Sequence, residues 1–284
     1  MTRKHLIFRT SWWGTNLLLA VAIGAFVYSG AWEYSVRQYL KGFSDAIVPA
    51  TAGPERQVEA ILNWMRNGPP RPVAANPTEL AMRDPETTLN YRQLLAVCGT
   101  ATNAFLNLSR SAGLNSRRLL LLMPDRTTKH VVAEVPIDGR WVVVDPSYRL
   151  MFRDSHGNLL TRKELQDPAV FAQATSVVTN YPPEYTYERF AHVRMSRLPF
   201  VGPAARWLLD TIAPGWEESL DWTLLLERES YSAVVAAAVF TLFFLVLRFL
   251  LAWCADYRLR IPRFHLREHF LRAGAAFFGT PGIK

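Results

Sequence analysis

Two long runs without a charged residue, one near each end, restrict most strongly what this chain can fold into. The first covers residues 11–32, and the second covers residues 230–247 and resumes after Arg248 as far as Ala255. A helix of about 20 apolar residues crosses a hydrocarbon core of roughly 30 Å. The sequence therefore predicts two transmembrane helices, with Arg248 close enough to one end of its helix to reach the interface. In a chain of 284 residues, the segment between them can form one sizeable domain.

The positive charge of the chain lies outside that central segment. Ten of the 32 Lys and Arg residues and two of the 24 Asp and Glu residues lie outside residues 33–230, which therefore hold 22 of each. This balance gives no support to a nucleic-acid-binding domain. Basic tails beside two apolar spans follow the positive-inside rule instead. We therefore expect both termini in the cytoplasm and the central domain outside a bacterial inner membrane, in the periplasm.

Residues 1–32 have an alternative interpretation as a cleaved signal peptide, since a basic start precedes the apolar run. No clear cleavage site precedes Trp32, which favours a retained anchor. The predicted organisation is a cytoplasmic tail (1–10), a transmembrane helix (11–32), a domain (33–176), its aromatic and proline-rich extension (177–230), a second transmembrane helix (231–255) and a basic cytoplasmic tail (256–284).

The chain has two cysteines, Cys98 and Cys254. With the predicted topology, Cys254 lies at the cytoplasmic end of the second span, so Cys98 has no intrachain partner. Oxidising compartments tend to pair or lose their thiols. A free Cys98 outside the membrane therefore suggests reactive chemistry, and the alternative is a small, inert core residue.

Helical and strand patterns alternate in the central segment. Apolar spacing predicts an amphipathic helix over residues 55–66 and another over residues 98–112, ended by Gly113. Residues 117–123 form an apolar run short enough for a buried strand. Thr161 and Glu164 have the spacing of a capping box, which predicts a helix starting there. The role of the extension at 177–230 stays open: it lines the cleft, covers it or lies on the bilayer.

The stretch KHVVAEVPIDGRWVVVDPSY contains a strong hairpin signal, because two β-rich runs flank Asp138 and Gly139. If these two residues form the turn, opposing residue numbers sum to 277 and Val132 faces Asp145. His130 is then the diagonal neighbour of Asp145 on the same face. A longer turn or a bulge would break this register.

A cysteine at the start of a helix, a histidine on a strand and an aspartate on the next strand can act as nucleophile, base and orienting group. Helix N-terminal amides and a nearby imidazolium favour the thiolate. The imidazole can later protonate a leaving amine, while the carboxylate fixes its tautomer. A zinc site from the same three residues is less favoured, because no CxxC or HExxH spacing accompanies them.

The motifs VCGTATNAFLNLSRSAGLNSRRLLLL and HVVAEVPIDGRWVVVDPSY resemble the core of the transglutaminase-like superfamily. The resemblance is dense from about Leu89 to Tyr148 and does not extend to the spans. It implies an α+β fold of papain-like topology, with the cysteine helix packed on an antiparallel sheet, here flanked by two transmembrane helices. It also implies Cys98 as nucleophile, His130 as general base and acid, and Asp145 as orienting residue.

The expected function is a membrane-anchored thiol enzyme that forms an acyl-enzyme from a protein or peptide amide, or from an envelope component. The acyl group then passes to water or to an amine, and no cofactor or metal is expected. The alternative is a catalytically silent domain of the same fold that binds or scaffolds an envelope or cell-surface polymer assembly. An oxyanion hole would use the amide of Cys98 and a second donor, for which Asn90 and Gln93 are both candidates.

Overall fold

The computed structural model describes residues 3–67, 89, 98–193, 202–216, 222–259 and 277. In chain order, the elements are α1 (Arg3–Ile47), α2 (Pro54–Asn67), α3 (Cys98–Ser111), β1 (Arg117–Leu122), β2 (Thr128–Ile137), β3 (Arg140–Asp145), β4 (Leu150–Met151), a 3-10 helix (Glu164–Gln166), α4 (Pro168–Thr175), β5 (Phe190–Ala191), α5 (Gly202–Ile212), α6 (Thr223–Glu227), α7 (Glu229–Trp253) and a π-helix (Cys254–Leu259).

The chain divides into two compact units. One comprises Ser29–Val235, and the other combines Met1–Tyr28 with Ala236–Lys284. Two helical segments, His5–Ile47 and Glu229–Leu259, are long and apolar enough to cross a membrane. These segments contain the two charge-free runs of the sequence.

In the unit that contains both chain termini, a polar contact accommodates the only charge in the apolar part of α7. Arg248 donates a hydrogen bond from Nε to Oδ1 of Asn16 at 2.9 Å. Its guanidinium carbon also lies 5.4 Å from the ring centroid of Trp12. Charged side chains in apolar helices are commonly paired in this way.

α1 continues well beyond the charge-free run at residues 11–32, because the following sequence is amphipathic. Leu40 is fully buried, and Val36, Tyr39 and Phe43 pack against the same core cluster. This spacing of three or four residues extends one apolar stripe along the helix. The last part of α1 is therefore part of the Ser29–Val235 unit rather than only a tether.

The centre of that unit is a five-stranded antiparallel sheet in the order β4-β3-β2-β1-β5. Its strands are rich in Val and Leu because both faces are covered. One face packs against residues of α1, α2 and α3, among them Leu40, Ile61 and Phe105. The other face packs against Phe152, Leu165, Phe171, Tyr181 and Tyr187. The predicted α+β class, with the cysteine helix on an antiparallel sheet, is confirmed.

The predicted register of the β2–β3 hairpin is also confirmed. Ile137 pairs with Arg140 and Ala133 with Val144, and both pairs sum to 277. Asp138 and Gly139 have φ angles of 50° and 77°, as a two-residue type I′ turn requires.

The capping box at residues 161–164 forms, but the helix after it is shorter than predicted. The amide of Thr161 donates to Oε2 of Glu164 at 2.8 Å, and the amide of Glu164 donates to Oγ1 of Thr161 at 3.4 Å. Only a single 3-10 turn follows, because Asp167 precedes a proline and is extended, with a ψ of 119°. Asp167 then accepts a hydrogen bond from the amide of Ala169 and so caps α4.

Because Gly139 is left-handed, the substitution Gly139→Val should lower the free energy of unfolding by about 1–2 kcal/mol. Urea unfolding of the full chain in neutral detergent, followed by circular dichroism, measures the effect. Asp138→Asn is the matched control, because asparagine suits the first position of this turn and should change stability by less than about 0.5 kcal/mol. Equal urea midpoints for Gly139→Val and the parent would contradict the proposed turn.

Candidate functional site

The helix that carries Cys98 is held against the strand that carries His130. The described part of α3 begins at Cys98, and its residues Ala101, Phe105 and Leu108 are buried in the core. Oγ1 of Thr102 donates a hydrogen bond of 2.9 Å to the carbonyl of Val131, the residue next to His130. This contact fixes the first turn of α3 beside the middle of β2.

Cys98 lies partly buried at one edge of the sheet. Its side chain packs against a small apolar cluster formed by Leu120, Leu122, Val131 and Ala191. The thiol therefore has an apolar floor and remains partly accessible.

His130 and Asp145 are joined by a short hydrogen bond. Nε2 of His130 lies 2.7 Å from Oδ2 of Asp145, and the side chains are 2% and 0% exposed. The hairpin register accounts for this contact, since it makes the two residues diagonal neighbours. The carboxylate thus holds the imidazole in one orientation and fixes which ring nitrogen carries a proton.

Further donors hold the carboxylate of Asp145 itself. Oδ1 accepts hydrogen bonds from the amides of Ser147 at 3.0 Å and Tyr148 at 3.3 Å. Oδ2 also accepts one from the hydroxyl of Tyr181 at 2.9 Å. These bonds hold the carboxylate in one position beside Nε2, so Asp145 is suited to orient the imidazole of His130 and to stabilise a positive charge on it.

Cys98 and His130 interact directly. Asp145 engages Nε2 of His130, and the buried Nδ1 has no hydrogen-bond partner among the described residues, so Nδ1 is the ring nitrogen left for the thiol. Burial of the thiol raises its pKa, but the hydrogen bond and positive charge of His130 outweigh this effect. The pKa of Cys98 is therefore lower than its ordinary value.

The pKa of His130 is shifted in the opposite direction, upwards. Burial disfavours the imidazolium, but the hydrogen bonds and negative charges of Asp145 and Cys98 raise the pKa of His130 from 6.5 to about 9. A lowered thiol pKa beside a raised imidazole pKa favours the thiolate–imidazolium form of the pair. The thiolate is the nucleophilic form of cysteine.

Three tyrosines surround this pair, and the sequence did not assign them a role. The ring of Tyr185 stacks on that of His130 with 4.1 Å between centroids and 5° between planes. The rings of Tyr148 and His130 meet edge to face at 6.1 Å, and Tyr181 lies 4.6 Å from Tyr148. Tyr181 and Tyr185 belong to the extension after residue 176, so this part of the extension lines the site.

A buried polar network, starting at Asn103, connects α3 to the residues just before α7. Nδ2 of Asn103 donates to the carbonyl of Glu227 at 2.7 Å and to its Oε2 at 3.1 Å. The carboxylate of Glu227 also forms a buried ion pair with Arg118 of β1. Glu227, which lies just before α7, therefore links α3 to β1.

The network continues one turn further along α3. Arg228 donates from Nε to Oδ1 of Asn107 at 3.0 Å and from Nη1 to Oε1 of Glu33 at 3.1 Å. Oγ of Ser230 donates to Oε2 of Glu33 at 2.7 Å. The chain just before α7 and the adjoining part of α1 are thus both bonded to the cysteine helix or to its partners.

The second oxyanion donor stays a prediction, because both candidates, Asn90 and Gln93, lie outside the described residues. In the described parts of the chain, no group of three or more His, Cys, Asp or Glu side chains is arranged to hold a metal ion. The described residues of the site are therefore a thiol, an imidazole and a carboxylate in sequence, which suits nucleophilic chemistry.

Part of the chain is similar to a known protein family. Residues 41–146 match the model described as the transglutaminase-like superfamily, and this range contains Cys98, His130 and Asp145. Comparisons with curated proteins and with solved structures find no significant match.

Because the pKa of Cys98 is lowered and that of His130 is raised, the pH midpoint for alkylation of Cys98 by iodoacetamide should lie below the ordinary cysteine pKa of about 8.5. The rate should fall at lower pH, where the thiolate is protonated. In His130→Ala the charge partner is lost, so the rate should instead rise with pH towards the ordinary cysteine pKa of about 8.5. The measurement uses the full chain in detergent with Cys254→Ser, which leaves one thiol.

Two results would contradict this prediction: one pH profile shared by the parent and His130→Ala, or a parent profile with a midpoint near the ordinary cysteine pKa. Far-UV and near-UV circular dichroism of both proteins serves as the control for folding.

Proposed function

Since residues 41–146 match the transglutaminase-like superfamily, we propose that this protein is a thiol enzyme that transfers acyl groups from amides. The observation that carries the proposal is the buried hydrogen bond of 2.7 Å between His130 and Asp145, on an imidazole that also lowers the pKa of Cys98. The superfamily consists in general of cysteine-dependent acyltransferases and peptidases. The proposed substrate is a protein or peptide amide, or an amide of an envelope component.

The proposed reaction has two halves. In the first, Sγ of the Cys98 thiolate attacks the amide carbonyl carbon, and the tetrahedral intermediate collapses as the carbon–nitrogen bond breaks. The proton on the imidazolium of His130 goes to the leaving nitrogen, which departs as ammonia or an amine and leaves a thioester.

In the second half, neutral His130 removes a proton from water or from an amine, which attacks the thioester and releases the Cys98 thiolate. Water gives a carboxylic acid, and an amine gives a new amide. Asp145 stabilises the imidazolium in both halves and does not itself take the proton.

We further propose that the two apolar helices anchor the enzyme in a bacterial inner membrane, with the Ser29–Val235 unit on the outer side. The support is the length and composition of the two helices and the excess of basic residues in both tails. The substrate would then be encountered in the periplasm, at the cell envelope.

The activity test uses the full chain in detergent with envelope proteins of the expressing host, in water enriched in oxygen-18 and with a fluorescent primary amine. Hydrolysis introduces oxygen-18 into new carboxylates, whereas transfer attaches the amine. Cys98→Ala should lower either product by about 10³-fold or more, because the nucleophile is lost. Cys254→Ser should leave the product yield unchanged.

The two products also separate the kinds of enzyme. Oxygen-18 with ammonia indicates an amidase, oxygen-18 with new amino termini indicates a peptidase, and bound amine indicates a crosslinking enzyme. Equal product from Cys98→Ala and the parent would refute the proposal. No product, together with an alkylation profile indifferent to His130, would instead support a silent binding domain.

Topology is tested separately, with a membrane-impermeant maleimide on intact bacterial cells whose outer membrane has been permeabilised. Cys98 should be labelled in a Cys254→Ser chain, because it lies on the outer side of the membrane. Cys254 should be labelled in a Cys98→Ser chain only after the inner membrane is opened. Labelling of Cys254 without that step would contradict the proposed orientation.

A further inference from the structure

The apolar side chains of α5 face solvent rather than the core. Trp207, Leu208 and Ile212 are 69%, 48% and 71% exposed. Ala204 and Thr211 are exposed as well, and at about 100° per residue all five positions fall within about 140° of the helix circumference. Oγ1 of Thr211 donates to the carbonyl of Trp207 at 2.7 Å, so this hydroxyl is already bonded within the helix. These five residues form the apolar side of α5.

Contacts on the remaining side of α5 fix this orientation. Gly202 is buried and Leu209 is partly buried, so the domain covers that side of the helix. Nε of Arg206 lies 3.8 Å from Oδ2 of Asp210, and Oδ1 of Asp210 accepts a hydrogen bond of 2.9 Å from Nε1 of the buried Trp216. A surface helix of a water-soluble domain has the reverse arrangement, with its apolar side on the core. The apolar side of α5 is therefore held outward by the structure around it.

The clustering of exposed apolar residues on α5 is unusual within the Ser29–Val235 unit. The other large apolar side chains that are exposed in the described part of this unit are Trp32, Tyr34, Met123, Trp141 and Val177. The first two lie at the end of the apolar run of α1, and the other three lie on separate elements. Single exposed apolar residues are normal on a soluble surface, whereas a contiguous group marks a surface that contacts a partner. The apolar side of α5 is such a group.

The segment after α5 leads to the place where both apolar helices join the domain. The rings of Trp216 and Trp222 meet edge to face at 5.6 Å. Trp222 directly precedes α6, which has five residues and is about 8 Å long at the rise of a helix. Arg228 follows α6 and bonds Glu33, which comes directly after the apolar run of α1, while α7 starts at Glu229. If the two apolar helices cross a membrane, the surface of that membrane adjoins this part of the domain.

A lipid surface suits the apolar side of α5 better than a second copy of the chain. Amphipathic helices that lie on a bilayer insert Trp and Leu side chains below the headgroups, and Trp is enriched at that depth. A stable interface between two proteins buries about 800 Å² on each partner, which three large side chains on a helix of 11 residues do not supply. The apolar side carries no charge, so its insertion does not require anionic lipid.

We propose that α5 lies on the outer surface of the lipid bilayer, with Trp207, Leu208 and Ile212 inserted below the headgroups. This inference rests on the membrane anchoring proposed above and does not depend on the proposed thiol chemistry. α5 would give the domain a third attachment to the bilayer besides the two apolar helices and would limit its rotation at the surface. The extension after residue 176 would then have two roles, since Tyr181 and Tyr185 line the thiol site and α5 contacts lipid.

The experiment places one nitroxide label at a time on the full chain, in a Cys98→Ser/Cys254→Ser background reconstituted in phosphatidylcholine vesicles. Leu208→Cys and Ile212→Cys carry the label on α5, and Val177→Cys is the matched control, because Val177 is also an exposed apolar residue of the same unit. Power saturation in electron paramagnetic resonance compares collisions with oxygen, which concentrates in lipid, and with a water-soluble nickel chelate. Both α5 labels should lie about 5–10 Å below the water–lipid boundary, and the Val177 label should stay in water.

A label on α7, introduced with Val246→Cys, separates this inference from the anchoring on which it rests. A Val246 label in lipid together with α5 labels in water overturns the inference and leaves the anchoring intact. A Val246 label in water overturns both. If the α5 labels are shielded from oxygen and from nickel alike, the apolar side of α5 contacts protein, and the inference is also overturned. Exposure of those labels on dilution with lipid would then identify a second copy of the chain as the partner.

Discussion

The turn at Asp138 and Gly139 is the constraint on which the candidate site depends. Both residues are left-handed, and the turn permits one register between β2 and β3. A slip of one residue would move every side chain of a strand to the opposite face. His130 would then point away from Asp145, and neither residue could affect the thiol of Cys98. The chemistry of the site therefore follows from the geometry of two solvent-exposed residues.

Local sequence patterns predicted the hairpin, the cysteine helix and the His130–Asp145 contact, because alternation and turn chemistry act over a few residues. The tyrosines around His130 were not predictable in this way. Tyr181 and Tyr185 follow β2 by about 50 residues in a segment without regular spacing, and only the folded chain brings them to the imidazole. The sequence shows two tyrosines that can stack and donate a hydrogen bond, but it does not show that they contact His130 and Asp145.

The length of α1 was missed for a related reason. The charge-free run predicts only the apolar part of the helix. After Trp32, α1 continues without a break as an amphipathic helix. The polar residues of that second part have long-range partners: Glu33 bonds Arg228 and Ser230, nearly 200 positions later. Such pairs cannot be recognised from the neighbouring sequence. A single charged residue is more often exposed on the surface than buried in an ion pair.

The buried bonds of Glu33 have a consequence for how this architecture can evolve. Glu33 follows the apolar run of α1 directly, and Arg228 and Ser230 lie where α7 starts, so the junctions between the apolar helices and the domain are themselves part of the core. Recombination that exchanged either apolar helix at its junction would separate a buried charge from its partner. Apolar helices and domain should therefore be inherited as one piece, not as interchangeable modules.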